Sequence, residues 1–271
     1  MIARLLRQPR FVVGAVITLL VVALALLGPL FAPHGENDIV GNPFTLEGAF
    51  LGTDYLGQDV LSRVLHGGRS ILVNALLATA LGMGLGVTIG LIAAYAGGWP
   101  DEILMRANDI MLAFPPILLA LVVLASVATP TSWMIIVLVG ISHAPRVARL
   151  TRGVALSLVS RDYVSAARAL GESPLRIVLF EVLPQMTAPL LAEAGLRLTY
   201  SIAMIAGLGF LGFATDPTAA DWGQMINENR LALLVQPWGE LAPVLVIGIF
   251  TIGTNMLADG VSRVAAAGEE R

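Results

Sequence analysis

Few side chains in this 271-residue sequence could do covalent chemistry. All sixteen basic residues are arginine, so no lysine is available to reach the β- and γ-phosphates as a G-x-x-x-x-G-K-[ST] loop requires. If ATP drives this protein, another polypeptide hydrolyses it. The absence of cysteine excludes thiolate nucleophiles, thiolate metal sites and disulfides. His34, His66 and His143 are scattered, and no two have the spacing of metal ligands, so no metal site is expected. No nucleophile stands beside a base in a recognisable context, and no catalytic residue is expected. What remains are charges inside apolar runs: Asp109, Asp259, and Glu193 with Arg197 at i and i+4, the favourable order for a helical pair. Glu193 and Arg197 read either as part of a gate or substrate pathway, or as a self-neutralising pair facing the interior of a bundle.

The elements that must hold these charges are membrane helices. Apolar residues make up 56% of the chain and charged residues 13%, about half the share of a soluble domain. The net charge is −3 with no basic patch interleaved by aromatics, which sets nucleic acid aside. Six spans are expected: Phe11–Phe31, Ile71–Ala96, Ile103–Ala128, Ser132–Leu150, Thr187–Phe213 and Leu241–Val261. The first is too long for the core of a cleavable signal peptide and reads as a retained helix. The third contains Pro115 and Pro116, and is expected to be one kinked helix, because the part after the prolines is too short to cross alone. Gly82, Gly86 and Gly90 mark a face of small residues for close helix packing.

Arginine placement sets the orientation. Twelve arginines, at 4, 7, 10, 106, 146, 149, 152, 161, 168, 176, 263 and 271, fall on one side, and three, Arg63, Arg69 and Arg230, on the other. Both termini are therefore expected in the cytoplasm. The whole chain, 1–271, reads as a single membrane domain without internal repeat. Its outer segments are residues 32–70 and 214–240, the latter carrying Asp216, Asp221, Trp222, Asn227 and Glu228 and expected to be a solvated loop, a lid on the pathway or a partner contact.

The longest inner connection, residues 151–186, has a built look. Helical composition from Arg161 to Leu170 ends at Gly171, a natural residue to follow a helix. Ser173 and Pro174 then start a second helix as N-cap and first helical residue, expected to halt at Pro184. Ala166-Ala167, then Gly171, then Leu183-Pro184 resembles the E-A-A-x3-G-x9-I-x-L-P loop of ABC importer permeases, with Ser165 for the glutamate and Glu181 for the isoleucine. The resemblance implies that Ala166, Ala167, Arg168, Gly171, Glu172, Ser173, Leu183 and Pro184 belong to a coupling loop that docks on an ATPase.

The segment from Leu51 to Arg63, with Gly52, Thr53, Asp54, Gly57, Asp59, Ser62 and Arg63, is similar to the L-G-T-D-x-x-G-R-D-V-L-S-R signature of the second permease of dipeptide, oligopeptide and nickel importers, with Gln58 for the arginine. Gly68-Arg69-Ser70, Phe210-Leu211-Gly212 and Trp222-Gly223 continue that similarity in order. It implies a type I importer permease fold in a bacterial plasma (inner) membrane. The implied partners are a second homologous permease, two ATP-binding subunits that hold the ATP and magnesium, a solute-binding protein outside, and lipid. No cofactor is expected on this chain. Peptide cargo is implied, with nickel or a haem-like ligand as alternatives. An ion-coupled secondary transporter and a non-transporting scaffold are the rival readings; co-purification with an ATPase separates them from the importer.

Overall fold

The computed structural model describes Leu6, residues 8–214 and residues 219–269, so Arg4, Arg7, Asp216 and Arg271 lie outside the described residues. The apolar runs form helices α1 Pro9–Leu27, α2 Val60–His66, α3 Gly68–Ala96, α4 Gly98–Ala113, α5 Pro116–Ala125, α6 Ser132–Val159, α7 Asp162–Ala169, α8 Pro174–Arg176, α9 Thr187–Phe210, α10 Trp222–Asn229 and α11 Trp238–Glu269. Two isolated bridges, Ile39 with Gln58 and Thr53 with Asp59, are the β pairing among the described residues. Five stretches are long and apolar enough to cross a membrane: Pro9–Leu30, Val60–Ala96, Ser132–Val159, Pro174–Phe210 and Trp238–Val264. The pair α4 and α5 makes a sixth if a bent pair counts as one crossing. The all-α, six-span expectation survives with one crossing broken.

That broken crossing corrects the expectation of a kinked helix at Pro115 and Pro116. The two helices meet at 78°. A proline pushes the residue before it out of the helical region, and here two do so in succession. Phe114 sits at φ −91°, ψ 130° and Pro115 at φ −61°, ψ 122°, both extended. One proline kinks a helix; this pair interrupts it.

Two further boundaries move. Helix α6 continues to Val159, beyond the expected end at Leu150. Pro184 does not halt the helix before the fifth span, because the path runs unbroken from Pro174 through a π turn at Ile177–Val182 and a 3-10 turn at Leu183–Met186 into α9. In the π turn the Leu183 N–H reaches back to the Val178 carbonyl, and this wider winding makes room for a ring that brings no donor.

Lipid supplies no hydrophobic drive between helices, so they gain by close approach. Gly82, Gly86 and Gly90 of α3 all lie against α6. A methyl group at Gly82 would meet the Gly140 carbonyl oxygen at 2.8 Å, one at Gly90 the Ala148 carbonyl oxygen at 2.6 Å, and one at Gly86 would overlap Val147 Cβ. Helix α1 pairs antiparallel with α11, Gly14 lying against Leu257 and Gly260 against Phe11, so the start of α1 and the end of α11 share one end of the molecule. Two buried apolar clusters result. The larger includes Ile71, Leu124, Ile202, Trp222 and Phe250; the smaller gathers Leu91, Val164, Ile177, Val182 and Met186 beneath α7 and α8.

The packing makes a differential prediction. Gly86→Ala should destabilise by about 1–3 kcal/mol through overpacking. Gly84→Ala, with nothing within 4 Å of the added carbon, should be neutral or slightly stabilising. Thermal unfolding of the detergent-solubilised chain, followed by size exclusion, reads both.

Candidate functional site

At one end of the molecule α7 and α8 form a rigid elbow. Helix α7 closes in a Schellman turn, with the Gly171 N–H bonded to the Arg168 carbonyl at 3.0 Å and the Glu172 N–H to the Ala167 carbonyl at 3.1 Å. Gly171 has φ +80°, a conformation that costs other residues about 1–2 kcal/mol. Ser173 Oγ accepts the Arg176 N–H at 3.4 Å, Pro174 takes the first helical position, and Glu172 pairs with Arg176 at 3.0 Å. The helix, glycine turn and helix thus form where the sequence places them.

The elbow is anchored on one side and open on the other. Val164, Ile177 and Val182 are buried, Ala167 and Leu183 pack partly against them, and the Arg168 guanidinium stacks 4.6 Å from the centroid of Tyr95 at the end of α3. Leu170 at the tip is 84% exposed, and Leu175 and Phe180 are exposed beside it. An open depression of about 480 Å³ lies between Leu175 and Phe180, lined also by Ala167, Glu172 and Glu181. Glu181, which departs from the family's isoleucine, points to solvent because the π turn buries Ile177 and Val182 instead. Ala166 and Pro184 are exposed. Tyr95, the seat of Arg168, carried no sequence signal.

At the opposite end the signature segment closes a buried polar clasp. The Asp54 carboxylate accepts the N–H groups of Leu56 and Gln58, each at 2.9 Å, and pairs with Arg63. Arg63 Nη1 also donates to Glu228 of α10 at 2.9 Å, joining segments far apart in the chain. Asp59 caps α2 through the Leu61 N–H at 3.1 Å and also holds Ser62 Oγ at 2.6 Å and His34 Nδ1 at 3.1 Å. Thr53 Oγ1 donates to the Asn42 carbonyl at 2.6 Å, and Gln236 Nε2 donates to the Leu51 and Thr53 carbonyls. Gly57 turns with φ +81° where any side chain would overlap the Gly41 carbonyl; Gly52, at φ +76°, is closed in likewise.

Around α10, the segment expected to be a solvated loop is instead packed into the protein. Trp222 is fully buried and donates to the Val64 carbonyl at 2.8 Å, while Asp221 caps α10 and accepts from Ser70 Oγ at 2.5 Å. Backbone and hydroxyl donors lie within reach of these polar groups, so burial leaves them hydrogen-bonded.

The charges within the spans sort by depth. Asp101 pairs with Arg152 at 2.5 Å and Asp109 with Arg149 at 2.6 Å, both joining α4 to α6, and Asp259 is exposed. Glu193 and Arg197 are both buried and stand 2.9 Å apart on α9, with the Arg197 guanidinium 5.0 Å from the Tyr200 ring. His143 Nε2 and Thr79 Oγ1 both meet Ser201 Oγ, at 3.0 and 2.9 Å, tying α6, α3 and α9 together. His66 Nδ1 lies 2.8 Å from the Ser62 carbonyl.

Two outcomes test the clasp. Arg63→Met should cost about 3–5 kcal/mol, since it leaves two buried carboxylates without their cation, and should expose residues 32–58 to proteolysis. Burial pushes the Asp221 carboxyl above its ordinary value of 3.8, although Ser70 and the Gln224 and Gly223 N–H groups pull it down. A raised carboxyl contributes stability that is complete below its unfolded value and lost as pH rises through the folded one. Asp221→Asn should remove that loss upward from about pH 4, read as a flatter profile of unfolding temperature against pH.

Comparison with known proteins agrees with this architecture. Residues 86–268 match the family described as "Binding-protein-dependent transport system inner membrane component", and residues 1–46 match the "N-terminal TM domain of oligopeptide transport permease C". The chain is 34% identical to the glutathione transport system permease protein GsiD of Pectobacterium atrosepticum, over 95% of this chain and 87% of that one. It is 34% identical to the di/tripeptide transport system permease protein DppC of Pseudomonas aeruginosa, over 92% and 84%. A putative peptide transport system permease protein of Brucella suis is 37% identical, over 95% and 88%. Among solved structures, a chain of the inward-facing MetNI methionine ABC transporter matches with a TM-score of 0.59 at 17% identity, covering 75% of this chain and 96% of that one, a likeness of fold. Span pattern, elbow and signature thus meet in one assignment: the chain belongs to the binding-protein-dependent transport system inner membrane components, the ABC importer permeases, and within them to the peptide and glutathione transport class.

Proposed function

We propose that this chain forms half of the translocation pathway of an ATP-driven importer of short peptides, and that the α7–α8 elbow is the seat of its ATPase. The observation that carries the reading is the elbow itself. It combines a stiff turn, a buried root shared with α3 and α9, and an apolar tip at Leu170 with no cover in the isolated chain. A lever needs a rigid arm and a surface on which to be pushed. Ala166, Ala167, Arg168, Gly171, Glu172, Ser173, Leu183 and Pro184 would act here as the shape and anchorage of that arm.

The elbow, the start of α1 and the end of α11 share one end of the molecule, and most of the arginines among the described residues gather there; this supports a cytoplasmic position for that end. The clasp end would then face the solute-binding protein, with a second homologous permease beside this chain and two ATP-binding subunits carrying ATP and magnesium beneath it, in a bacterial plasma membrane. Relatives named for glutathione, di/tripeptide and peptide transport favour a peptide cargo over nickel or a haem-like ligand.

Tandem purification from native membranes tests the reading: an ATP-hydrolysing chain should accompany this one. Leu170→Asp should weaken that association about thirtyfold, the effect of losing about 2 kcal/mol at a central contact. Gly171→Val should leave the particle assembled while lowering ATP-driven uptake of a dipeptide. A purified particle without an ATPase, or one indifferent to Leu170→Asp, would sink the proposal.

A further inference from the structure

Two arginines within the spans are not matched by the carboxylates around them. Arg197 stands near the middle of α9, 6% exposed, where its ion partner is Glu193. Arg197 Nη1 is buried with no hydrogen-bond partner, and Nε, although 2.9 Å from the Glu193 carboxylate, lacks the alignment of a hydrogen bond. Arg146 lies about 21 Å along α6 from its Ser132 end, inside the stretch Ser132–Val159 that is long and apolar enough to cross a membrane. It is exposed and has no ion pair or hydrogen bond among the described residues. His143 of α6 and Ser201 of α9 meet at 3.0 Å, and Arg146 and Arg197 each stand about one helical turn from that contact, so the two guanidinium groups belong to neighbouring turns of packed helices. Asp109, the nearby carboxylate on α4, is already taken by Arg149. Two cations thus stand against one carboxylate.

An unpaired arginine at this depth costs about 2.5–3.5 kcal/mol against lipid, and such residues face water-filled cavities or partners instead. Arg146 borders an open depression of about 510 Å³ with Leu112, Arg149 and Leu150. Leu112 and Arg146 also line a separate small cavity of about 20 Å³, with Phe114 and Ser142, at the bend between α4 and α5. A guanidinium offers five donors in a planar fork suited to a carboxylate.

We infer that Arg146 and Arg197 form a cationic station on the translocation pathway that takes a carboxylate of the passing cargo. The inference rests on the peptide-import reading and adds to it the group that is recognised: a short peptide always carries a free carboxylate unless it is amidated. Glu193 holds Arg197 in place beside Tyr200 without neutralising the pair. Two point contacts from different helices hold the cargo and can release it when α6 and α9 shift.

The absence of cysteine allows a direct test. Leu112→Cys places one thiol on the depression and leaves both arginines intact. In the assembled importer this thiol should react with carboxyethyl methanethiosulfonate about tenfold faster than with aminoethyl methanethiosulfonate, the scale expected of cations a few ångströms away. Arg146→Gln should abolish the preference and Arg146→Lys should keep most of it. Arg197→Gln should reduce it, provided size exclusion shows an intact particle; Arg146, being exposed, carries the test if Arg197→Gln does not fold. An unreactive thiol, or equal rates for the two reagents, overturns the station. Failure of the parent reading is separately visible as a particle without ATPase, because labelling needs no transport.

Discussion

The contact of α3 with α6 is the constraint on which the other parts of this permease depend. Three glycines on one face of α3 let two long helices touch backbone to backbone, with no side chain to spare between them. In lipid such contact replaces the hydrophobic effect as the source of association. The pair carries both ends of the molecule: α3 begins at the clasp, where a methyl group added at Gly68 would come within 2.5 Å of a Trp222 ring carbon, and ends at Tyr95 under the elbow. Helix α6 runs beside it and leads directly into α7. The elbow is therefore joined to a pair of long packed helices that reaches from one end of the protein to the other.

The two ends are built to opposite rules. At the clasp the main polar groups are buried and answered: Asp54 by Arg63 and two backbone N–H groups, Asp59 by Ser62 and a helix terminus, Gln236 by two carbonyls. Such a network favours one arrangement, because each member loses its partner if the segment slides. The elbow buries only its root and leaves Leu170, Leu175 and Phe180 in the open. One end stabilises the fold, and the other has surface to offer.

Between them the broken crossing is loosely held. Helix α4 is tied to α6 by Asp101 with Arg152, Asp109 with Arg149, and the Asn108 side chain donating to the Pro145 carbonyl at 2.8 Å. Much of its remaining surface is exposed, and it ends at two extended residues, Phe114 and Pro115. The depression beside Arg146 opens where this crossing turns. A bundle able to admit cargo needs such a place, where polar side chains reach membrane depth without facing lipid.

The number of crossings, the glycine face and the turn of the elbow were legible in the residues alone, since each is written in local terms: length and apolarity for a span, four-residue spacing for a packing face, Gly171 and Ser173-Pro174 for a turn between helices. The sequence also carried the signature as an ordered string, but not its meaning. Only the tertiary structure brought Arg63 to Glu228 and Gln236 to Leu51, because contacts across such distances in the chain leave no periodic trace. The same holds for the unpaired state of Arg146. Whether an arginine in a span is neutralised depends on which carboxylate the fold places beside it, and Asp109, one candidate in the sequence, is bound to Arg149. The double proline lay between these cases. Its presence was plain, but whether it bends or breaks a helix depends on the residue before each ring, and here Phe114 and Pro115 both had to leave the helical region.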